Sequence, residues 1–405
     1  MLSIMITDST FWSAQRARIF LPKDSINLNA GTLSPTPIPV MEALERVRYM
    51  QAAAPSDFLW RQSPPLLQRA RARLAAYLNC ESANLLLLPN VTHAVNLAVA
   101  GLQLERGAEI LMTDHEYGAM IYCWRRWAAE RGWTIRMLTL PYNTENPADL
   151  VGAIEAAISP VTKVLFFSHV TSTTGLVLPA VELCALARRR GLLSVVDGAH
   201  AAGMLPLDLA KIDADFYAAN CHKWIMAPMG AGFLSVRNEH KDLILPPIVS
   251  WGWGYAPAER DTDSGCGGSK WQHALEFYGC TERCPQMVLP ETFDFREGLG
   301  GETTIAQRVR EVSLYAREQL AVCGFAPATP LNPALSGALT SFEFPQVDTI
   351  KAREWLWHTH HIECPVTFAA GRCFLRVSTA WFVSFDEIER LATALKALPV
   401  SHLQP

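Results

Sequence analysis

The sequence predicts an α/β fold on a mainly parallel sheet covered by helices on both faces, with a smaller α+β part after it. Three observations predict this. Apolar, strand-like runs alternate with helical stretches over residues 85–236. Residues able to do chemistry fall at the exits of those runs: Thr92, His115, Asp197 and Lys223. From Glu291 onward the alternation gives way to long helical stretches and a few separated strands. Strand–helix–strand alternation packs as parallel strands joined by right-handed crossovers. Ligands of such sheets sit at the carboxyl ends of the strands.

The chain has 405 residues, 50% of them hydrophobic and 18% charged. That is more than one compact core holds, so two domains are expected. The expected division is an arm over residues 1–35 that joins the small domain, a large ligand-binding domain over 36–290 and a small domain over 291–405. Net charge is −4, from 35 basic and 39 acidic residues, with no basic tract. Nucleic acid and anionic membrane are therefore not expected partners. No apolar run approaches the roughly 18 residues of a membrane span. Met1–Asp8 lacks a basic start and a long apolar run, so it does not read as a signal peptide. The ten cysteines follow no framework spacing and read as reduced thiols, which makes a cytoplasmic location the expectation.

The elements follow from punctuation and periodicity. Ile26–Pro35 carries Gly31, Ser34 and Pro35 and reads as a loop. Helices are expected from Pro35 to Ala54 and from about Pro64 to Leu78, with Arg61 between them. Leu85–Leu88 is a short buried strand, and Pro89-Asn90-Val91-Thr92-His93 opens a helix to about Leu102. A strand, a turn, a hydroxyl residue and a helix start make an anion site, because first-turn N–H groups lack intrahelical partners. Strand Glu109–Met112 leads through Thr113–Tyr117 into a helix to about Arg131. Strand Thr134–Leu140, helix Pro147–Ile158, strand Lys163–Ser168 and helix Pro179–Arg190 follow. The polar loop His169–Gly175 sits at a strand exit. Residues 246–284 read as irregular. Beyond them come helix Thr303–Cys323, strand Ala338–Phe344, helix Thr349–His360, strands Ile362–Val366 and Phe374–Ser378, and helix Ser384–Ala397.

The chemistry concentrates in two strand ends. Ser194-Val-Val-Asp197 is an apolar run ending in a carboxylate. The run Asp213–Ala219 leads into Asn220-Cys221-His222-Lys223-Trp224, followed by the Gly-rich turn Met229–Val236. A strand-end Asp and a later strand-end Lys are what a pyridoxal 5'-phosphate (PLP) site needs: the amine meets the cofactor's carbonyl and the carboxylate holds its ring nitrogen protonated. A salt-bridged Lys and a capping Asp are the plain structural alternative for each residue alone. Metal ligation is not expected. Cys280, Cys284 and His273, and the run His358-Thr-His360-His361, match no common zinc spacing.

Asp197-Gly-Ala-His200 and Asn220-Cys-His-Lys-Trp224 resemble the class V aminotransferase family of fold-type I PLP enzymes, in particular its isopenicillin N epimerase branch, with cysteine desulfurases and C–S lyases as relatives. The resemblance runs from about Asn27 to Leu398. It implies a PLP-dependent enzyme acting at Cα of an amino acid, and a homodimer with shared sites. It implies that Thr92, His93, Asn220 and His222 lie at the cofactor phosphate and that His200 bonds the ring oxygen. By the same resemblance, an aromatic at the Glu109 strand's exit stacks on the ring; His115 matches that position, and Tyr117 is the other candidate. Arg376 matches the family's substrate-carboxylate arginine, a role its forked guanidinium suits. Arg61 and the backbone of Gly31 lie near the substrate in that reading. Thr281, displaced by one position with Cys280 in its place, is expected to reach the partner's phosphate.

The Cα carbanion that such a site makes has several fates: epimerisation, transamination or elimination. Desulfuration needs a nucleophilic cysteine ahead of Arg376. Cys364 lies there but stands in an apolar strand run, as does Cys373, and buried cysteine commonly packs as a small apolar residue. Desulfurase therefore ranks below epimerase, aminotransferase and C–S lyase. A non-catalytic PLP-fold binding protein is the alternative of another class, and the intact Lys223 argues against it.

Overall fold

The computed structural model describes residues 9–403; Met1–Asp8, which does not read as a signal peptide, lies outside them. The arm supplies β1 (Ile26–Asn27). The central sheet holds β2 (Leu85–Leu88), β3 (Glu109–Thr113), β4 (Thr134–Leu138), β5 (Thr162–Ser168), β6 (Leu193–Asp197), β7 (Phe216–Asn220) and β8 (Gly232–Val236). Their spatial order is β2-β8-β7-β6-β5-β3-β4. The pairs from β7 through β6, β5 and β3 to β4 are parallel, and β8 runs antiparallel to both β7 and β2. The expected α/β, mainly parallel seven-stranded sheet is what the chain forms.

Period-two burial explains the apolar runs. In β5, Val164 and Phe166 enter one buried cluster while Leu165 and Phe167 enter the other. Phe216 and Ala218 of β7 face the first, and Tyr217 and Ala219 face the second. A sheet buried on both faces leaves no polar face, so its strands read as continuous hydrophobic runs. The covering helices are drawn from α1 (Ser9–Arg16), α2 (Ile38–Ala53), α3 (Ser63–Leu78), α4 (Val91–Gly101), α5 (Gly118–Arg131), α6 (Pro147–Ala157) and α7 (Ala180–Arg189).

Two stretches differ from expectation. The irregular 246–284 segment contains α8 (Lys270–Glu276), opened by a full capping box between Ser269 and Gln272. An unexpected helix, α9 (Leu289–Gly298), precedes α10 (Gly301–Val322). After it come β9 (Leu339–Phe344), α11 (Thr349–His360), β10 (Ile362–Glu363), β11 (Val366–Ala369), β12 (Arg372–Ser378) and α12 (Phe385–Lys396). The single strand expected over Ile362–Val366 is split at Cys364-Pro365, because proline has no N–H to give to a ladder. The strands β11, β12 and β9 form a three-stranded antiparallel sheet. The arm's β1 pairs in parallel with β10, and Ser378 donates its N–H to the Leu28 carbonyl. These links carry Gly31 to the end of β12, beside Arg376.

Candidate active site

The exits of β2, β3, β5, β6 and β7 and the end of β12 surround one cavity of about 330 Å3. Its wall includes Gly31, Thr92, Tyr117, Asp197, His200, Asn220, His222, Lys223 and Arg376. Eight of these nine are residues expected to line it; Tyr117 was the alternative to His115.

The β6 exit carries Asp197. Its Oδ1 accepts the Ala199 N–H at 2.9 Å, which fixes the carboxylate over the turn. Gly198 is required there: a Cβ on it would lie 2.3 Å from the Tyr217 ring. Burial raises the Asp197 carboxyl, opposed by the Ala199 bond and the charge of Lys223. The β7 exit carries Lys223. The loop turns back at once, with Met226 N–H bonding to the Lys223 carbonyl and Ala227 N–H to the Cys221 carbonyl. Met226 holds a positive φ of 70°, a conformation that costs an ordinary residue about 1–3 kcal/mol and persists only where the surroundings impose it.

Lys223 Nζ lies 3.2 Å from His200 Nε2, and Trp224 Nε1 donates to His200 Nδ1 at 3.4 Å. With Nδ1 accepting, a neutral His200 carries its proton on Nε2 and can offer it to Lys223 once that amine has lost its own proton. Burial pushes the Lys223 amine down to about 8, against the pull of Asp197. His200 is driven well below its ordinary range by burial and then by the cations Lys223 and Arg376.

The anion end forms at α4. Asn90 caps the helix by accepting the His93 N–H at 2.9 Å, and Asn220 Oδ1 accepts the Val91 N–H at 2.9 Å. Those bonds place the Thr92 hydroxyl on the cavity wall. His222 Nδ1 is buried without a partner among the described residues, and burial holds this imidazole down at about 4. At the opposite end Arg376 is buried. It donates to the Ser172 carbonyl and hydroxyl at 3.0 and 3.1 Å, to Asn29 Oδ1 at 3.0 Å and to the Thr32 hydroxyl at 3.2 Å, while its Nε has no partner among the described residues. The Gly31 N–H bonds Ser378 Oγ at 3.1 Å, which lays the arm's backbone along this end.

Four expected residues lie elsewhere. His115 is turned inward, with Nε2 3.0 Å from the Leu140 carbonyl and Nδ1 3.3 Å from Thr174 Oγ1. The cause is the turn after β3. Thr113 donates its hydroxyl to Glu116 at 2.6 Å, the helix starts only at Gly118, and the aromatic ring that reaches the cavity is that of Tyr117. His93 packs its ring 5.7 Å from Tyr278, away from the cavity wall. Arg61 sits in a single π-helical turn over Phe58–Gln62, 72% exposed and paired with Asp57. Thr281 is exposed and outside the cavity of its own chain. Sequence reasoning missed Asn90, Ser168 and the carboxylate behind them, while Ser172 belongs to the polar loop His169–Gly175 already expected at a strand exit. Glu116 accepts the Ser168 hydroxyl at 2.6 Å and is pushed up to about 7 by burial. Pro-Asn-Val-Thr did carry the signal for Asn90, since Asn before an apolar helix start is a cap.

The profile of aminotransferase class V matches residues 26–391. The chain belongs to the class V aminotransferase family. It is 44% identical over 398 residues to an isopenicillin N epimerase of Amycolatopsis lactamdurans, covering 96% of this chain and 99% of that protein. An isopenicillin N epimerase of Streptomyces clavuligerus is 41% identical over 394 residues, covering 96% and 98%. The fold is similar to a cystine C–S lyase solved with cysteine persulfide, at TM-score 0.77 and 23% identity over 95% of this chain and 99% of that one. A cysteine desulfurase of Thermococcus onnurineus gives TM-score 0.78 and 21% identity over 96% and 98%.

Class V aminotransferases are fold-type I PLP enzymes, and PLP is the cofactor of this one. The residues present fit it. The cavity has a hydroxyl and an orphaned buried imidazole nitrogen at one end, a buried carboxylate at the middle strand and a desolvated amine beside it. A Cβ on Gly232 would lie 2.9 Å from Asn90 Cα, so only glycine lets β8 pass the α4 turn that forms the anion end.

Proposed function

We propose that the chain is an amino-acid epimerase acting at Cα, with isopenicillin N or a close analogue as substrate. The observation that carries this reading is the identity of 44% and 41% to two isopenicillin N epimerases over nearly their whole length. PLP, when bound, takes up the electron pair left at Cα. Lys223 holds the cofactor and then serves as base for the Cα proton, a role its burial-lowered basicity suits. Asp197 sets the ring nitrogen's proton. Thr92, Asn220 and His222 hold the phosphate end and His200 the ring oxygen. Arg376, oriented by Asn29, Thr32 and Ser172, binds the substrate carboxylate, and the Gly31 backbone lies alongside.

Cysteine chemistry has little support. Cys364 is fully buried, gives its Sγ–H to the Arg376 carbonyl at 3.5 Å, and has its thiol pushed far up by burial. A thiolate is what such a reaction needs, and no cysteine among the described residues lines the cavity. C–S elimination uses the same groups and is decided by the same experiment. The purified, PLP-loaded protein is given isopenicillin N, cysteine, cystine and a cysteine conjugate, and the products are resolved. Interconversion of epimers without keto acid or sulfide is expected. Sulfide and pyruvate without epimerisation would make it a lyase.

We further infer a homodimer, because Arg61 and Thr281, expected at the site, do not line this cavity in their own chain. All ten cysteines are free, which supports a cytoplasmic setting. No helix among the described residues is long and apolar enough to cross a membrane.

A further inference from the structure

We propose that Tyr117 is the second acid–base group of the epimerisation, serving the face of Cα opposite the one Lys223 serves; this rests on the epimerase reading above. Inversion at carbon removes a proton from one face and returns one to the other. A single side chain does both only by swinging around the substrate. Lys223 is half-buried and held in a tight loop, so the cavity wall must offer another donor.

The wall's ionisable groups are few. His200 lies 3.2 Å from Lys223 Nζ, on the lysine's side, and His222 belongs with Thr92 and Asn220 to the anion end. Asp197 is fixed by the Ala199 N–H, and Arg376 does not give up a proton. Tyr117 remains. The sheet order puts it on the other flank: Lys223 follows β7, Asp197 follows β6, and Tyr117 follows β3, beyond β5. Asp197 thus has the amine on one side and the phenol on the other. Tyr117 and Arg376 line the same cavity, so the phenol shares its wall with the group that grips the substrate's carboxylate, one bond from Cα.

The step balances. Neutral Lys223 takes the Cα proton and becomes an ammonium, and the C–H electron pair stays with the substrate carbon. Tyr117 O–H then protonates the opposite face and becomes a phenolate. A proton returns from Lys223 to Tyr117 through water, which reaches a side chain that is 51% exposed. The reverse reaction exchanges the two roles, so each residue is the base for one epimer.

Tyr117→Phe removes only the hydroxyl. The holoenzyme and this variant are compared in deuterium oxide with isopenicillin N and with its epimer, following deuterium at Cα by NMR and PLP affinity by titration of the apoprotein. The variant is expected to bind PLP within about 3-fold of wild type. It should keep exchange from one epimer, lose it from the other by about 100-fold, and lose interconversion by about 100-fold, the range of one general acid–base group. Interconversion by the variant within about 5-fold of wild type overturns the role of Tyr117. So does equal loss of exchange from both epimers, or weakened PLP binding with it, which would make Tyr117 a cofactor-positioning residue. A wild-type protein that exchanges Cα hydrogen without interconverting the epimers overturns the epimerase reading, and this proposal falls with it.

Discussion

Burial sets the protonation of Lys223, and that has a consequence for the apoprotein. Its amine falls from the ordinary 10.5 to about 8 on folding. Between those values the unfolded chain binds a proton that the folded chain does not, so stability rises with pH across about 8 to 10.5. Below 8 both states are protonated and the folded state carries the whole penalty, about 3 kcal/mol for a shift of roughly 2.5 units. Lys223→Met should therefore stabilise the apoprotein near pH 7 by up to about 3 kcal/mol, with the gain vanishing by about pH 10.5. Denaturant melts at pH 7, 8.5 and 10 measure this, and a gain that does not change with pH refutes it. For Arg376→Ala, losing a charge-assisted forked contact costs about 2–4 kcal/mol, so KM should rise about 30- to 1,000-fold while PLP affinity holds. If PLP affinity falls and KM does not, the arginine is structural. Cys364→Ala should leave turnover largely intact with a modest loss of stability, because the thiol fills core space. Loss of sulfur transfer in a folded variant would contradict that. Lys223, Asp197, Asn220 and His222 were legible because strand-end chemistry sits in short sequence runs. The contacts of Asn29, Thr32 and Ser172 with Arg376 were not, because they form only through pairing between distant segments.

Element boundaries decided which aromatic reaches the cavity. A side-chain bond between Thr113 and Glu116 delays the start of α5 to Gly118, which turns His115 inward and Tyr117 outward. Spacing alone does not encode that bond. The strands of the central sheet, by contrast, were read to within a few residues, since a sheet buried on both faces gives unbroken apolar runs. The capping box of α8 was present in the sequence as Ser269-Lys-Trp-Gln272, but the glycines before it masked the signal. At the β6 exit the element is held by close contact. Gly198→Ala would drive a Cβ to 2.3 Å from the Tyr217 ring, whose hydroxyl is tied to His169 at 2.8 Å. Neither side has room to give, so the substitution should lower stability by about 2 kcal/mol or more and weaken PLP binding. Thermal melts and PLP titration test this; an unchanged melt would show that the turn tolerates a side chain.

At the scale of the whole molecule, the exposed apolar side chains call for a cover. Trp60, Met229, Val249, Trp251 and Trp253 are all more than half exposed and are candidates for burial against a second copy. In the dimer reading, Thr281 serves the partner's site. Lys223→Ala and Thr281→Ala subunits, mixed, unfolded and refolded at limiting PLP, should then regain activity. The mixed dimer has one site with both defects and one with neither. No gain over the separate variants would confine Thr281 to its own chain or to no role. The domain division at residues 36–290 and 291–405 belongs to the same proposal: the long-range pairing of β1 with β10 ties the arm to the C-terminal part, which no local pattern announces. The most direct test of the account as a whole is chemical. The PLP-loaded protein is reduced with borohydride, digested and sequenced by mass spectrometry. The account predicts a phosphopyridoxyl group on Lys223 and on no other lysine. A label on a different lysine, or none on a protein loaded with PLP, would contradict it.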